Sequence, residues 1–458
     1  MPTRPRSARV LFTLIVAAGL AAVSAVARPP NIVLIVSDDQ GYADVGFHGS
    51  KEIPTPQLDA LAASGTICTS GYVTFPVCSP SRAGFLSGRH GARFGYDTNP
   101  DQRTSNAHAA GLPLSERTMA DALRSAGYRT GLVGKWHLGL EPYFHPNERG
   151  FDEFFGFVRG GHQYWEWKPG TDYTAPLLRN REVVPGTEKR YLTDLLADEA
   201  VAFVERHHEK PFFLYLAFNA PHSPLQASPE YLKRVPHLKG RRQTYAAMIV
   251  AMDDGIGRVR QKIAELGLER DTLFLFISDN GGPLQDNASN NTPLRGRKSQ
   301  LWEGGIRVPY VVSLPGKIPA GKRYDRPVST LDFLPTALAL AGVDSRGQPG
   351  LEGVNLLPYL RGESAGDPHE NLFWRHRHGG WAIRSGDMKL VRDVDGQEYL
   401  YDLARDLSEK TDLAKEKPDH VARLRRTWET WNTANATAIP WLAPGDSRWP
   451  SKGEPAKK

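Results

Sequence analysis

The chain has 458 residues, of which 40% are hydrophobic and 24% charged, with 57 basic residues against 51 acidic ones. This composition excludes a disordered, collagen-like or disulfide-scaffold protein and allows one large domain with a smaller companion. The formal net charge is only +6, three of these charges lie before residue 10, and no basic run follows, so nucleic acid is not an expected partner.

The first 27 residues are typical of a secretory signal peptide. They begin with Arg4, Arg6 and Arg9, continue with an apolar run over 11–23, and end in Ala25-Val26-Ala27. We predict cleavage after Ala27 and export to the periplasm or outside a bacterial cell. No later apolar run is long enough to predict a membrane span.

After the signal peptide, short apolar runs alternate with amphipathic stretches, which predicts an α/β fold with a large, mostly parallel sheet sandwiched by helices. We predict strands at 31–37, 130–133, 212–218, 272–278 and 308–313, and helices at 57–64, 116–126, 193–206 and 245–266. From about residue 367, short alternating runs and a helix at 418–432 predict a small antiparallel sheet with a helix. The predicted division is therefore a signal peptide at 1–27, a main domain at 28–366 and a C-terminal subdomain at 367–458.

Polar residues follow four of the predicted strands at the point where each strand ends. They are Asp38-Asp39, Lys135 with His137, Asn219 with His222, and Asp279-Asn280. Each alone is typical of a turn or a surface position, but parallel strands bring them to one sheet edge, where ligands of open α/β sheets bind. Three carboxylates and an amide oxygen suit a hard divalent cation, Ca²⁺ or Mg²⁺, and leave the histidines and the lysine free for chemistry.

The sequence contains only two cysteines, Cys68 and Cys78. In an exported protein they could form a structural disulfide. Ser79 as a cap and Pro80 near a helix start instead predict that Cys78 lies at the amino end of a helix reaching about residue 86. That location favours an anion or a thiolate.

The segment Cys78-Ser-Pro-Ser-Arg82 resembles the signature of the type I sulfatases, a family of the alkaline phosphatase superfamily. The resemblance runs from Asn31 to about Ala414 and is closest to members of the arylsulfatase and N-acetylgalactosamine-6-sulfatase type. It includes Asn31-Ile-Val-Leu-Ile-Val-Ser-Asp-Asp39, Gly134-Lys-Trp-His-Leu-Gly139, Ala220-Pro-His-Ser-Pro224, Ser278-Asp-Asn-Gly-Gly282, Leu294-Arg-Gly-Arg-Lys298, Trp302-Glu-Gly-Gly-Ile-Arg-Val-Pro309 and Tyr401-Asp-Leu-Ala-Arg-Asp406.

This resemblance implies an alkaline phosphatase-like fold and a sulfuric ester hydrolase acting on a sulfated carbohydrate or an aryl sulfate. It implies that a formylglycine-generating enzyme converts Cys78 to Cα-formylglycine (3-oxoalanine), which leaves Cys68 unpaired. One Ca²⁺ is then expected on Asp38, Asp39, residue 78, Asp279 and Asn280. The implied catalytic residues are Cys78, Arg82, Lys135, His137, His222 and Lys298.

In the mechanism that the resemblance implies, a hydroxyl of the hydrated aldehyde at residue 78 attacks sulfur. Lys135, His222 and Lys298 neutralise the sulfate oxygens, and one of the last two protonates the departing alcohol. Arg82 holds the nucleophile, and His137 deprotonates the second hydroxyl so that sulfate leaves.

The sequence leaves two other functions open: a phosphonate or phosphodiester hydrolase of the same superfamily, and a sulfated-glycan binding protein without turnover.

Two aromatic segments, 160–167 and 373–381, are candidates for a sugar-binding subsite through His162, Trp165, Arg375 and His376. The alternative is that their tryptophans pack a domain interface.

Overall fold

The computed structural model describes residues 1, 28–99, 111–165, 174–186, 189–345, 348, 350–376 and 378–437. Nearly all of the predicted signal peptide, residues 2–27, lies outside the described residues, as do residues 166–167 of the first aromatic segment and the chain beyond 437. Among the described helices, none combines the length and the apolar content that crossing a membrane requires.

In chain order, the described strands are β1 Asn31–Ser37, β2 Thr66–Cys68, β3 Gly71–Tyr72, β4 Arg129–Lys135, β5 Glu153–Phe157, β6 Leu178–Arg179, β7 Glu182–Val183, β8 Phe212–Ala217, β9 Thr272–Ser278, β10 Tyr310–Ser313, β11 Lys322–Tyr324, β12 Val328–Ser329, β13 Asn371–Arg375, β14 Trp381–Ser385, β15 Met388–Arg392 and β16 Glu398–Asp402. The α-helices are α1 Pro56–Ala63, α2 Cys78–Ser87, α3 Met119–Ser125, α4 Leu192–His207, α5 Pro229–Leu232, α6 Gly240–Glu265, α7 Glu303–Ile306, α8 Phe333–Leu340, α9 Leu357–Leu360 and α10 Pro418–Thr433.

The main sheet of the described chain has the order β11-β2-β10-β9-β1-β8-β4-β5-β6-β7. Its central strands β9, β1, β8, β4 and β5 are parallel, whereas β10 pairs antiparallel with both β9 and β2. The predicted mixed, mostly parallel sheet is therefore confirmed, and the carboxyl ends of β1, β4, β8 and β9 lie side by side.

Strand β1 explains why helices cover both faces of this sheet. All of its residues are buried. Because side chains alternate along a strand, Leu34 packs into one core with residues of α2, α3 and α8, and Ile35 packs into the opposite core with residues of α1, α4 and α6. A strand that is apolar on both faces is typical of a parallel sheet between two helical layers.

The C-terminal strands β13 to β16 form a consecutive antiparallel sheet, as predicted. One face contributes Trp374 and Val391 to the core shared with the main sheet, while the other packs Ile383 and Leu390 against α10. The small sheet therefore packs with one face against the main domain and with the other against α10. The exact domain division at 366/367 stays a prediction.

Three predicted helix starts are wrong. The helix predicted at 245–266 begins five residues earlier, at Gly240. The helix predicted at 116–126 begins at Met119, because Thr118 and Asp121 form a reciprocal capping box in place of the predicted cap Ser115. The helix predicted to begin near Pro80 begins at Cys78, with Val77 rather than Ser79 as the N-cap residue.

Candidate active site

Three buried carboxylates converge where the central parallel strands end. Asp38 and Asp39 directly follow β1, and Asp279 directly follows β9, the neighbouring strand. One ligand atom each from Asp38, Asp39, Asp279 and Cys78 lies within 4.8 Å of the others. The predicted metal ligands therefore come together around the predicted nucleophile.

Three buried or nearly buried cations face these carboxylates. Arg82 donates to Asp279 Oδ2 from Nη2 at 2.7 Å and from Nε at 3.0 Å, and Lys135 Nζ lies 2.5 Å from Asp38 Oδ2. Lys298 Nζ lies 2.8 Å from the Asp39 carboxylate and 3.4 Å from Cys78 Sγ. We call these six charged residues, Asp38, Asp39, Arg82, Lys135, Asp279 and Lys298, the reaction-centre cluster.

Asn280 provides a further oxygen atom beside this cluster. Its Nδ2 donates to Asp39 Oδ1 at 2.7 Å, but its buried Oδ1 has no hydrogen-bond partner among the described residues. An unpaired buried carbonyl oxygen is costly. Together with three carboxylates, it is the donor chemistry that a hard cation such as Ca²⁺ prefers, so the residues fit the predicted ion.

Burial and neighbouring charges push the pKa values of two of these carboxyls in opposite directions. Burial raises the pKa of Asp279 to about 6, and the negative charge of Asp38 adds to the effect. Burial also acts on Asp38, but the charge of Lys135, followed by those of His222 and Arg82, holds the pKa of Asp38 well below its usual range.

Helix α2 presents Cys78 to the cluster as its first residue. The helix start is held by Asn99, whose Oδ1 accepts from Ser79 N at 2.9 Å, while Ser79 Oγ contacts Tyr96 Oη at 2.7 Å and donates to the carbonyl of His137 at 2.6 Å. The expectation of a thiolate at this position is wrong for the unmodified side chain. Burial raises the pKa of the Cys78 thiol to about 12 despite Lys135 and Lys298.

The two predicted catalytic histidines both lie beside charged residues of the cluster. His137 has a φ of 60°, which is uncommon for a residue other than glycine, and burial with the charges of Lys135 and Arg82 holds its pKa well below the ordinary value. His222 Nε2 lies 3.6 Å from Asp39 Oδ2, and burial lowers its pKa although Asp38 and Asp39 oppose the shift. The direction of both shifts favours the neutral imidazole.

The four predicted sugar-binding residues occupy different surroundings. His162 is 1% exposed, and its ring nitrogens lie 2.6 Å from the Gln163 carbonyl and 2.7 Å from the Ala175 carbonyl. Trp165 is 38% exposed. Arg375 is bound to the Asp97 carboxylate at 2.6 and 2.9 Å, and His376 stacks on Phe75 at 5.8 Å between ring centroids. Their predicted role in sugar binding stays a prediction.

Two tyrosines that the sequence does not reveal support the site. Tyr215 Oη accepts from Arg82 Nη1 at 2.8 Å, and Tyr164 Oη donates to the His222 carbonyl at 2.9 Å. Tyr215 lies within β8, where its apolar neighbours indicate only a buried strand. Tyr164 lies in a long loop without periodicity, so neither position carries a signal for its partner.

Comparison with known proteins shows to which family the chain belongs. A family model described as Sulfatase matches residues 30–343, and one described as N-sulphoglucosamine sulphohydrolase, C-terminal, matches residues 297–429. The chain belongs to the sulfatase family, so the predicted family and the enzyme class, sulfuric ester hydrolase, are confirmed.

Individual relatives are similar over most of their length. Mouse N-acetylgalactosamine-6-sulfatase (Mus musculus) is 36% identical over 382 residues, which cover 79% of this chain and 72% of the mouse protein. Human arylsulfatase A (Homo sapiens) is 36% identical over 427 residues, covering 86% and 79% respectively. The crystal structure of Ps i-CgsB in complex with k-i-k-neocarrahexaose matches with a TM-score of 0.84 at 39% identity, covering 90% of this chain and 94% of that one.

Proposed function

We propose that this sulfatase is exported, binds one Ca²⁺, and hydrolyses sulfate esters of a sulfated carbohydrate through a formylglycine derived from Cys78. The observation that carries the proposal is the convergence of Asp38, Asp39, Asp279 and Cys78 within 4.8 Å. The complete Cys-x-Pro-x-Arg segment at the start of α2 supports the modification, and the features of residues 1–27 support export.

Asp38, Asp39, Asp279, Asn280 and residue 78 would hold the calcium ion. The unpaired Oδ1 of Asn280 and the three clustered carboxylates support this assignment. When bound, the ion supplies positive charge next to the sulfate oxygens. It would also offset the repulsion among the three carboxylates.

When present, the hydrated aldehyde of formylglycine supplies a nucleophilic hydroxyl together with a second hydroxyl from which a proton can be removed. The chain's own residues then have separable tasks. Lys135 and Lys298 reduce the negative charge that protects a sulfate ester against nucleophiles. Arg82 is fully buried and bound to Asp279 and Tyr215, so it fixes the metal ligand and the helix rather than contacting substrate.

Proton transfer falls to the two histidines and Lys298. The neutral imidazole of His137 suits a general base, because it can accept a proton from residue 78. Lys298, or His222 once the negative charge of a bound sulfate ester favours its protonated form, would protonate the departing alcohol, and both lie next to Asp39. Burial of this whole group strengthens each electrostatic contact relative to water.

The substrate class follows from the relatives and from one exposed aromatic side chain. A structure 39% identical to this chain holds a neocarrahexaose, and two relatives are carbohydrate or aryl sulfatases by name. Trp165, 38% exposed in the loop that contains Tyr164, could stack on a sugar ring. We therefore infer an oligosaccharide substrate, with neocarrahexaose as the first one to test.

The test uses the full chain expressed in a host that has formylglycine-generating activity. Mass spectrometry of the peptide containing residue 78, metal analysis, and amino-terminal sequencing of the secreted protein examine the modification, the ion and the cleavage after Ala27. Hydrolysis of an aryl sulfate, neocarrahexaose, a phosphonate monoester and a phosphodiester is measured on one preparation. An active enzyme with an intact thiol, no divalent ion, or a preference for the phosphorus substrates would overturn the corresponding part of the proposal.

The role of Trp165 is tested by comparing two substrates. Trp165→Ala should slow hydrolysis of the oligosaccharide far more than that of the aryl sulfate, which needs only the reaction-centre cluster. Arg375→Ala is measured in the same way: a larger loss on the oligosaccharide would support its predicted sugar contact, and equal losses would reflect the loss of its ion pair with Asp97. Equal losses on both substrates for Trp165→Ala would instead indicate a packing role.

A further inference from the structure

Lys298 lies on a loop whose position determines where its ammonium group reaches. The loop runs from Arg295 to Glu303, and it is closed by a hydrogen bond from Gly304 N to the Arg295 carbonyl at 2.7 Å. From this loop Lys298 Nζ reaches both Asp39 and Cys78. A shift of the loop would therefore move a cation of the reaction-centre cluster.

Both ends of the loop are held by one residue of the C-terminal subdomain, Glu409. Its carbonyl accepts from Arg295 Nη1 at 2.9 Å, and its carboxylate Oε2 accepts from Glu303 N at 2.8 Å. The second carboxylate oxygen, Oε1, accepts from Lys389 Nζ of β15 at 2.9 Å. Glu409 is 0% exposed, so these bonds lie in a low-dielectric environment where they are strong and costly to leave unmade.

The backbone of Glu409 also indicates a specialised position. Its backbone φ is 52°, which lies in the left-handed region that residues other than glycine, asparagine and aspartate rarely adopt. This conformation lets a single residue direct its carbonyl to Arg295 and its carboxylate to Glu303. Such backbone strain persists only where surrounding contacts fix it.

We propose that Glu409 is a positioning residue for catalysis, which holds the Arg295 to Glu303 loop so that Lys298 lies against Asp39 and residue 78. The C-terminal subdomain then serves the sulfate site directly, in addition to any part it has in binding the glycan. This inference rests on the proposed role of Lys298 in neutralising the sulfate group.

The loop has other contacts, some with the C-terminal subdomain and some with the site itself. In the subdomain, Tyr401 Oη accepts from Arg295 Nη1 at 3.0 Å, and Trp302 packs on Tyr399 and Tyr401. Lys298 N donates to the Gly282 carbonyl at 3.2 Å and Ser299 N to the Pro76 carbonyl at 2.8 Å. Gly281 N donates to the Gly305 carbonyl at 3.0 Å, just beyond the loop, which connects the same region to the neighbour of Asn280. Loss of the Glu409 contacts is therefore expected to shift both Lys298 and the segment next to Asn280, a predicted metal ligand.

The experiment compares Glu409→Ala with the wild-type full chain at a temperature well below unfolding. Three quantities are measured: kcat and KM on an aryl sulfate and on neocarrahexaose, the inhibition constant of inorganic sulfate, and amide hydrogen exchange of residues 296–302. We expect faster exchange in this segment, weaker inhibition by sulfate, and a fall in kcat on the order of 100-fold that is equal for the two substrates. Glu398→Gln is the matched control, because Glu398 also forms an ion pair within the subdomain, with Arg425, and should change none of these quantities.

If Glu409→Ala does not fold, Glu409→Met removes both acceptor oxygens while nearly keeping the length of the side chain, and the same three measurements decide. Unchanged exchange at 296–302, or unchanged sulfate inhibition in a folded variant, would overturn the positioning role. A wild-type enzyme that hydrolyses no sulfate ester would defeat the proposed function instead. In that case the exchange measurement still tests whether Glu409 holds the loop.

Discussion

Two groups of buried charged side chains in the described part of the chain differ in how completely the polar atoms around them are paired. The first is the reaction-centre cluster around Cys78. The second, which we call the anchor cluster, consists of Glu303, Arg307, Lys389 and Glu409 at the contact between the main domain and the C-terminal sheet. Both contain carboxylates and lysines that are almost fully excluded from water.

In the anchor cluster every carboxylate oxygen has a partner. Glu303 accepts from Lys389 at 2.8 Å through one oxygen and from Tyr72 at 2.6 Å and Arg307 at 3.3 Å through the other, and both oxygens of Glu409 are bound. Beside the reaction-centre cluster, the Asn280 amide oxygen and His137 Nδ1 lack partners among the described residues. A paired group stabilises an arrangement, whereas an incompletely paired one is ready to receive an ion and a substrate.

The largest expected effect tests the reaction-centre cluster at its nucleophile. Cys78→Ala should reduce kcat by at least about 1,000-fold, because no group remains to attack sulfur. The melting temperature should change little, since only one small side chain is removed. Cys68→Ala is the matched control: Cys68 is equally buried but lies on β2, away from the cluster, and should leave kcat unchanged. Comparable losses for the two variants would contradict the assignment.

The anchor cluster is expected to respond in stability. Lys389→Met keeps the length of the side chain but leaves two buried carboxylates without their shared cation, which should lower the free energy of unfolding by about 3–5 kcal/mol. Arg425→Met removes the partner of Glu398 in the same subdomain, but Arg425 is 43% exposed, and such a pair contributes about 1 kcal/mol or less. Denaturant unfolding of both full-length variants measures the difference. Equal losses would show that the anchor cluster contributes no more to the free energy of unfolding than an exposed ion pair.

The difference between the two clusters also marks what sequence can predict. The residues of the reaction-centre cluster lie at the end of parallel strands or directly after them, in the segment 78–82, or in the segment 294–298. Strand order and motif predict that they converge. Glu409 and Lys389 lie in a loop and in a short strand whose patterns indicate only a small sheet. Their meeting with Glu303 depends on how that sheet packs against the main domain. Packing of this kind depends on side-chain shapes along both surfaces, so local patterns do not reveal it.

Another buried carboxyl, that of Asp253 in α6, extends the comparison because no cation of the described residues forms an ion pair with it. Its carboxylate accepts only from Gln57 N at 3.0 Å and Leu58 N at 2.8 Å, and burial raises its pKa to about 7. The unfolded chain releases this proton near the ordinary value of 3.8. The contribution of Asp253 to stability is therefore fully present below that pH and is lost as the pH rises through 7.

Asp253→Asn removes this titration. Relative to the wild type, the free energy of unfolding of the variant should rise between pH 5 and pH 8 by up to about 3 kcal/mol. The comparison uses the change with pH, because the lost backbone hydrogen bond lowers stability equally at both values. Denaturant unfolding at pH 5, 6, 7 and 8 measures it, and parallel curves for the two proteins would show that Asp253 stays ionised throughout.

The smallest expected effect concerns the space around His137, whose unpaired Nδ1 distinguishes the reaction-centre cluster from the anchor cluster. A Cβ added at Gly160 would lie 2.6 Å from His137 Nε2 and 2.8 Å from its Cε1, so the imidazole must move. Gly160→Ala should lower kcat by roughly tenfold, because a displaced base transfers its proton less efficiently. The melting temperature should stay close to that of the wild type. In a His137→Ala background the same substitution should cost nothing, since no ring remains to collide with the new methyl group, and the two effects are then non-additive. An equal loss of kcat in both backgrounds would mean that Gly160 acts on the site by a route other than His137.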